Sequence, residues 1–353
     1  MRALVTGATG LIGSHLVNTL VDAGHEVRCL VRPTSWRGSL EGLPVTWVVG
    51  DLLQDSKVLD AACAECDVAF HTAAHYSYGG VSSTEILDTA VAGTEALLRA
   101  CGRQGVRTVV VTSSSVVFGY SNRGTIICEA EPMARSDGEP TYVIAKIAQH
   151  HRALRLAEHL KLDVRFACPT ITLGPTNSRL GPSNGLIVSY LTDPFSNTFP
   201  GGCNLVSVRD IAVGHLLIAL NGNTGECYLL GSENLTWRQI HGMIAELAGV
   251  SPPLAELNHV SAFLAAATEE LFAAVAGRTA LSTRQQATMI GRYYWYSHAK
   301  TAALGYAPST ARSSLTETIS WLASSSYITR EVRARMRLSP DIYRLRSITE
   351  RQH

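Results

Sequence analysis

This chain of 353 residues has neither a long apolar run nor a large net charge of either sign. The longest apolar run, from Ile211 to Leu220, is interrupted by Gly214 and His215 and is too short to span a bilayer. The net charge of +1 gives no reason to expect nucleic acid or a membrane surface as a partner. A strand predicted from residue 2 leaves no room for a signal peptide, so we expect a cytoplasmic protein.

A complete set of metal ligands is also missing. Cys63 and Cys66 have metal-like spacing, but no second pair of Cys or His residues lies close to them in the sequence. We therefore expect free thiols and no metal site. The hydrophobic content of 46% and the charged content of 17% are typical of a well-buried globular protein.

Apolar runs alternate with amphipathic stretches in the order typical of a parallel sheet covered by helices. The pattern predicts strands at residues 2–6, 26–31, 45–49, 67–71, 107–113 and 163–168, and helices at 11–23, 55–63, 83–103 and 140–160. The fold class predicted is therefore α/β, with a doubly wound parallel sheet.

A glycine motif joins the first strand to the first helix. Its glycines follow the apolar run 3–5 and open the amphipathic stretch 11–21. Glycines allow a close approach of the backbone, and the free N–H groups of a helix N-terminus attract phosphate. The alternative is an ordinary glycine turn. We predict a dinucleotide phosphate site formed by Gly7, Thr9, Gly10, Leu11, Ile12 and Gly13.

Tyr142 and Lys146 lie one helical turn apart, on the same face of a predicted helix. About thirty residues earlier, the hydroxyl residues 112–115 end the apolar run 109–111. Both groups should meet at the carboxyl edge of the sheet, where ligands bind in α/β folds. A free phenol has a pKa of about 10, and a nearby ammonium favours its anion. A surface contact is the alternative, but the combination favours hydride-transfer chemistry.

With these motifs the chain resembles the extended short-chain dehydrogenases/reductases of the NAD-dependent epimerase/dehydratase superfamily. It is similar to the branch that holds dihydroflavonol reductases, 3β-hydroxysteroid dehydrogenases and epimerase-like proteins. The resemblance runs from Met1 to about Leu322 and includes residues 50–52, 70–74, 169–175, 206–212 and 302–306. It implies a Rossmann domain, mainly residues 1–170, and a substrate-binding lobe, mainly 171–322. Residues at about 203–232 should return to the Rossmann core, and 323–353 form a C-terminal extension.

The resemblance also implies a catalytic set of serine, tyrosine and lysine. Tyr142 would transfer the proton, and Lys146 would lower its pKa and bind the nicotinamide ribose. A serine would polarise the substrate oxygen as one arm of an oxyanion hole. The family register points to Ser114, because Ser113 and Ser115 would face away if the strand is regular.

Two further positions concern the same site. Many family members have an asparagine on the helix before the fifth strand, where this chain has Ala90. The role of that amide would pass to a neighbouring residue or to water. His71, at the end of the fourth strand, is expected to be structural.

The second strand ends at Arg32, without the acidic residue that would bind a ribose 2′-hydroxyl. An arginine there attracts a 2′-phosphate instead, so we expect NADP(H), with Ser35 or Arg37 assisting Arg32. The alternative is that Arg32 is only an exposed charge at the end of the strand and does not contact a cofactor. Further cofactor contacts implied by the resemblance are Asp51, Leu52, Ala73, Ala74, Pro169, Thr170 and Ile171.

We therefore predict an NADPH-dependent reductase of an aldehyde or ketone on a small, fairly apolar molecule, or the reverse oxidation. The carbonyl substrate is the expected partner, and a homodimer is left open. One alternative is a nucleotide-sugar epimerase or dehydratase with bound NAD, although its Arg-Pro-Gly-Asp segment is missing; another is a non-catalytic NADP-sensing regulator. Residues expected at the substrate mouth are His75, Tyr76, Tyr78, Val116, Phe118 and Thr172.

The segment 331–353 is rich in arginine and has few large apolar residues. This composition predicts a solvated helix followed by a frayed tail. A tail that docks a partner or caps the pocket is the alternative.

Overall fold

A computed structural model describes residues 1–53, 56–73, 83–130, 132–133, 139–176, 180–277, 280 and 283–350. Its strands are β1 Arg2–Thr6, β2 Glu26–Val31, β3 Val45–Val49, β4 Val68–His71, β5 Thr108–Thr112, β6 Asp163–Pro169, β7 Ile171–Leu173, β8 Asn197–Thr198, β9 Gly202–Ser207, β10 Cys227–Leu230, β11 Glu233–Thr236, β12 Ala255–Glu256 and β13 Tyr293–Tyr294. Its helices are α1 Leu11–Asp22, α2 Ser56–Cys63, α3 Ser83–Gln104, α4 Thr141–Leu160, α5 Pro182–Thr192, α6 Val208–Asn221, α7 Trp237–Ala248, α8 His259–Val275, α9 Arg284–Ala287, α10 Ala299–Ala302, α11 Ala311–Ser324, α12 Arg330–Arg335 and α13 Pro340–Glu350. Each strand and helix predicted from the pattern begins and ends in the structure within one residue of its predicted bounds.

Seven parallel strands form the main sheet, in the order β10-β6-β5-β4-β1-β2-β3. The chain starts in the middle, at β1, and winds outward in both directions, which confirms the doubly wound α/β prediction. In register, Thr6 of β1 lies between Leu30 of β2 and His71 of β4. The turn after β1 is therefore at the switch point, where ligands bind in such sheets.

Both faces of this sheet are covered, so its strands are apolar on both sides. In β1, Leu4 enters a core formed with α2, α3 and α4, while Ala3 and Val5 enter a second core with α1 and α6. A buried histidine ties α6 to the sheet: His215 Nε2 lies 2.8 Å from Thr112 Oγ1, and its Nδ1 lies 2.8 Å from the Ile211 carbonyl oxygen. Among the residues described, no helix is both long and apolar enough to cross a membrane.

The second layer of strands is smaller. β9 pairs with β11, β13 and β7, and residues of α5, α7 and α11 pack with it around a third core. The segment expected to return to the main sheet at about 203–232 is divided: β9 belongs to this smaller sheet, whereas α6 and β10 join the large one. The two sheets are thus connected through the end of β9.

The C-terminal segment packs against the lobe, unlike the solvated helix expected from its composition. Val332, Met336 and Ile342 are buried in the third core. The Arg337 amide donates to the Ala248 carbonyl oxygen at 2.8 Å, which joins the segment to the end of α7. These buried apolar side chains face the lobe, whereas Tyr343 and most of the described arginines of the segment are exposed. Average composition could not show this arrangement.

Candidate active site

The turn after β1 requires glycine for steric reasons. Gly7 has a φ of 71°, and a Cβ there would lie 2.6 Å from the Ala73 amide nitrogen. A Cβ on Gly13 would lie 2.1 Å from the Gly7 carbonyl oxygen, so α1 can approach the turn only with glycine at this position. The N-cap residue, Gly10, has no side chain to bond the first N–H groups of α1. These N–H groups are therefore available to a phosphate.

A cavity of about 950 Å³ extends from this turn into the lobe. It brings together 12 of the 25 residues predicted from sequence for cofactor, catalysis and substrate. Those that line it are Gly10, Leu11, Ile12, Gly13, Ser114, Val116, Tyr142, Lys146, Pro169, Thr170, Ile171 and Thr172. Phe118 is buried in the first core instead and is not among the lining residues. Ala74, His75, Tyr76 and Tyr78 lie outside the described residues.

The serines after β5 do not alternate as expected. β5 ends at Thr112, and a 3₁₀ turn at Ser115–Phe118 follows, with Ser114 as its N-cap. The regular strand on which the alternation depended has ended before these residues, and Ser113, Ser114 and Ser115 all line the cavity. Ser113 Oγ lies 3.1 Å from His150 Nδ1, and Ser115 hydrogen-bonds Tyr296. Among the described residues, Ser114 Oγ accepts only a long contact, 3.5 Å, from the Val116 amide, so its hydroxyl is the one best placed to bind a ligand.

Lys146 is 4% exposed and holds its ammonium at the end of β5. Its Nζ donates to the Thr112 carbonyl oxygen at 3.0 Å and to Gln149 Oε1 at 2.9 Å. An ammonium has three N–H donors, and both contacts with described residues use neutral acceptors. Burial lowers the pKa of Lys146 to about 8. The charge is thus held in the cavity wall, where no carboxylate of a described residue pairs with it.

Gln149 continues this contact into a buried hydrogen-bonded chain. Its Nε2 donates to Thr94 Oγ1 at 2.7 Å, and the Thr94 hydroxyl donates to the Ala90 carbonyl oxygen at 2.8 Å. His71 Nε2 lies 3.0 Å from Thr94 Oγ1, while its Nδ1 lies 2.8 Å from Thr6 Oγ1. Because the Thr94 hydroxyl already donates its proton to the Ala90 carbonyl oxygen, His71 Nε2 must donate to Thr94 Oγ1, and His71 Nδ1 must accept from the Thr6 hydroxyl. Burial lowers the pKa of His71 to about 3, which keeps it neutral.

The same series of hydrogen bonds ends at the backbone of Ala90. Where an asparagine is common in the family, the described structure has an alanine whose carbonyl oxygen is reached through Thr94 and Gln149. The sequence reasoning missed Gln149. Its position three residues after Lys146 places both side chains on one helix face, and that spacing is the signal that could have revealed it.

Arg32 lies just beyond the end of β2, at the same sheet edge as the glycine turn. It is exposed, and within the described part of the chain no carboxylate forms an ion pair with it. Its carbonyl oxygen accepts from the Ser35 amide at 3.0 Å, and the Arg37 guanidinium lies 5.1 Å from the ring centre of Trp47. Asp51, at the end of the next strand, accepts from the Leu53 amide at 2.9 Å.

The lobe supplies a wall of the cavity that the sequence reasoning did not identify. It is rich in aromatic and apolar side chains from α5, α7, α8 and the segments between them. Charged groups are few: Lys146, Asp193 and Glu269 line the cavity, and none of its described lining residues is an arginine. No local motif marks these residues, because they come from several separate elements of the lobe. They lie outside the two motifs on which the sequence prediction depended.

Comparison with known proteins agrees with this geometry. The sequence profile of the NAD dependent epimerase/dehydratase family matches residues 3–231. A putative dihydroflavonol 4-reductase of Synechocystis is 30% identical over 334 residues, which is 92% of this chain and 95% of that protein. A 3 beta-hydroxysteroid dehydrogenase/Delta 5-->4-isomerase of Mycobacterium tuberculosis is 42% identical over 128 residues, 34% of each chain.

The crystal structure of gox2253 has a TM-score of 0.81 to this chain at 31% identity, and the match covers 93% of this chain and 99% of that one. The similarity therefore includes the lobe as well as the sheet. With the predicted branch represented among the relatives, the resemblance inferred from sequence is confirmed. The chain belongs to the NAD-dependent epimerase/dehydratase family of extended short-chain dehydrogenases/reductases, an NAD(P)-dependent family of enzymes.

Proposed function

We propose that the protein is an NADPH-dependent reductase of an aldehyde or ketone on a small apolar molecule, or catalyses the reverse oxidation. The observation that carries this proposal is the cavity itself. Ser114, Tyr142 and Lys146 share it with the glycine turn, and its described lining contains no arginine to bind a diphosphate. A neutral, apolar substrate fits such a wall better than a nucleotide sugar does.

The residues present fit a nicotinamide dinucleotide. The first turn of α1 has no side-chain cap and opens into the cavity, which suits a pyrophosphate. Arg32 would hold a 2′-phosphate, and Lys146 has N–H capacity for the nicotinamide ribose hydroxyls. When bound, this cofactor supplies or accepts the hydride.

The remaining chemistry is assigned to the side chains. Tyr142 gives its phenolic proton to the carbonyl oxygen of the substrate, or removes a proton from the alcohol in reverse. Lys146 stabilises the resulting phenolate by its charge, and Gln149 holds the ammonium in place. Ser114 donates to the same substrate oxygen, so the developing negative charge has two donors.

The test is a measurement of cofactor consumption. Purified protein with NADPH and a panel of hydrophobic aldehydes and ketones should show a falling nicotinamide absorbance matched by alcohol formation. A panel of nucleotide sugars should give no product. Conversion of a nucleotide sugar without net consumption, or NAD retained through purification, would contradict the reductase and favour the epimerase.

Cofactor choice is a separate prediction, based on Arg32. NADPH should bind at least about tenfold more tightly than NADH, since a guanidinium pairs with the 2′-phosphate. Arg32→Asp should narrow or reverse the difference, because a carboxylate repels that phosphate and bonds the free 2′-hydroxyl. Kd values for both cofactors from calorimetry test this, with Arg335→Asp, at an exposed position of α12, as the charge-matched control. Equal wild-type affinities would show that Arg32 is only a surface charge.

A further inference from the structure

Four rings form a compact group in the lobe wall of the cavity. This ring cluster consists of Tyr190, Phe199, Trp237 and His241, all of which line the cavity. Tyr190 is stacked on His241, with ring centres 4.6 Å apart and planes 13° apart. Phe199 and Trp237 lie 5.4 Å and 5.9 Å from the same imidazole. His241 is thus the centre of an otherwise apolar surface.

The hydrogen bonds of His241 fix which of its nitrogens carries the proton. Nδ1 lies 3.0 Å from Thr198 Oγ1, and Thr198 is fully buried. Within the described structure, the Thr198 hydroxyl has no other acceptor, so it donates to Nδ1. The imidazole therefore carries its hydrogen on Nε2, for which no described residue serves as a partner.

The imidazole is also held neutral. It is 3% exposed, and burial lowers its pKa to about 4, although the nearby Asp193 opposes this shift. The Asp193 carboxylate accepts from the amides of Phe195 and Asn197 at 2.9 Å and 2.7 Å. The imidazole of His241 is neutral and the carboxylate of Asp193 lies near it. An anionic ligand is therefore disfavoured here, and a neutral oxygen suits this donor better.

We infer that the ring cluster is a subsite for the part of the substrate remote from its reacting carbonyl, where His241 Nε2–H donates to a second, uncharged oxygen. The ligand class is an aromatic or polycyclic carbonyl compound that carries a ketone, ether or hydroxyl on its far ring. This inference rests on the proposed function. The flat rings supply apolar contact, and the buried donor supplies selectivity, because a ligand without the oxygen leaves it unbonded.

Two pairs of probes test the subsite at different molecular lengths. The first is p-coumaraldehyde with cinnamaldehyde; the second is androstanedione with androstanone, which lacks the far ketone. The Kd of each probe is measured by calorimetry on protein saturated with NADP⁺, and turnover is measured separately with NADPH. The wild type should prefer the oxygen-bearing member of at least one pair by about tenfold.

Substitutions at His241 then identify the donor. His241→Phe keeps a ring but has no N–H, so the ratio of the two Kd values should fall to about one. His241→Gln, whose Nε2 can reach a similar position, should restore part of the preference. His159→Phe on the exposed end of α4 is the matched control and should leave the ratio unchanged.

The outcomes separate the subsite from the reaction. A preference that depends on His241, without turnover of any probe, supports the subsite and counts against the reductase. Turnover with equal Kd values within both pairs overturns the subsite alone. A preference that survives in His241→Phe, or no binding of any of the four probes, also overturns it.

Discussion

Replacing Tyr142 with Phe is expected to lower kcat by roughly a thousandfold or more, because the variant has no proton for the carbonyl oxygen. The ring remains, so the cavity wall keeps its shape and NADPH should still bind. Steady-state kinetics on any substrate found with the panel, together with cofactor titration, test this expectation. Tyr343→Phe, which alters an exposed ring on α13, is the matched control and should retain full activity.

A fall of less than about tenfold in Tyr142→Phe would contradict the proposed role. It would mean that another group supplies the proton. Loss of NADPH binding in the same variant would instead mean that the hydroxyl supports the cofactor site. Measuring kcat and cofactor Kd on one preparation distinguishes the two.

Replacing Ser114 with Ala should reduce kcat by roughly a hundredfold, the usual cost of losing one donor to a developing oxyanion. Ser113→Ala and Ser115→Ala are the controls, since their hydroxyls already bond His150 and Tyr296. These two variants should lose stability more than activity. Thermal unfolding measured beside kcat separates the effects. If Ser115→Ala has the largest kinetic effect, the assignment is wrong by one residue.

The sequence predicted the large sheet well because its signals are local. Each strand is a short apolar run, and each helix of that layer shows its own period. The glycine motif and the Tyr142–Lys146 pair are local too, and the order of the strands was enough to bring them to one edge. The choice among the three serines was harder to predict, because the alternation of side chains between the two faces of the sheet stops where β5 is followed by a 3₁₀ turn.

Contacts between distant segments could not be predicted in the same way. Gln149 meets Thr94 across two packed helices, and His241 meets Thr198 from a different element. The buried positions of Val332 and Ile342 depend on a surface formed by α7 and α11. Such pairings depend on tertiary packing, for which one sequence carries no short-range signal.

The buried histidines make the folded protein sensitive to acid. His71, His215 and His241 have pKa values lowered by burial to about 3, 4 and 4, whereas an unfolded histidine titrates at about 6.5. Below pH 6.5 the unfolded chain therefore binds protons that the folded chain does not. The free energy of unfolding that these neutral histidines contribute is present in full above pH 6.5 and is lost as the pH falls toward 4.

Each histidine contributes up to about 1.4 kcal/mol per pH unit to this loss, or roughly 4 kcal/mol per unit for the three together. A folding stability in the lower half of the usual range of about 5–15 kcal/mol would be lost within about two pH units. Circular dichroism should show unfolding as the pH falls from 7 to between 5 and 4, while a constant free energy of unfolding over that range would contradict the expectation. The same imidazoles that support the cavity walls at neutral pH therefore set the lowest pH at which the cavity stays folded.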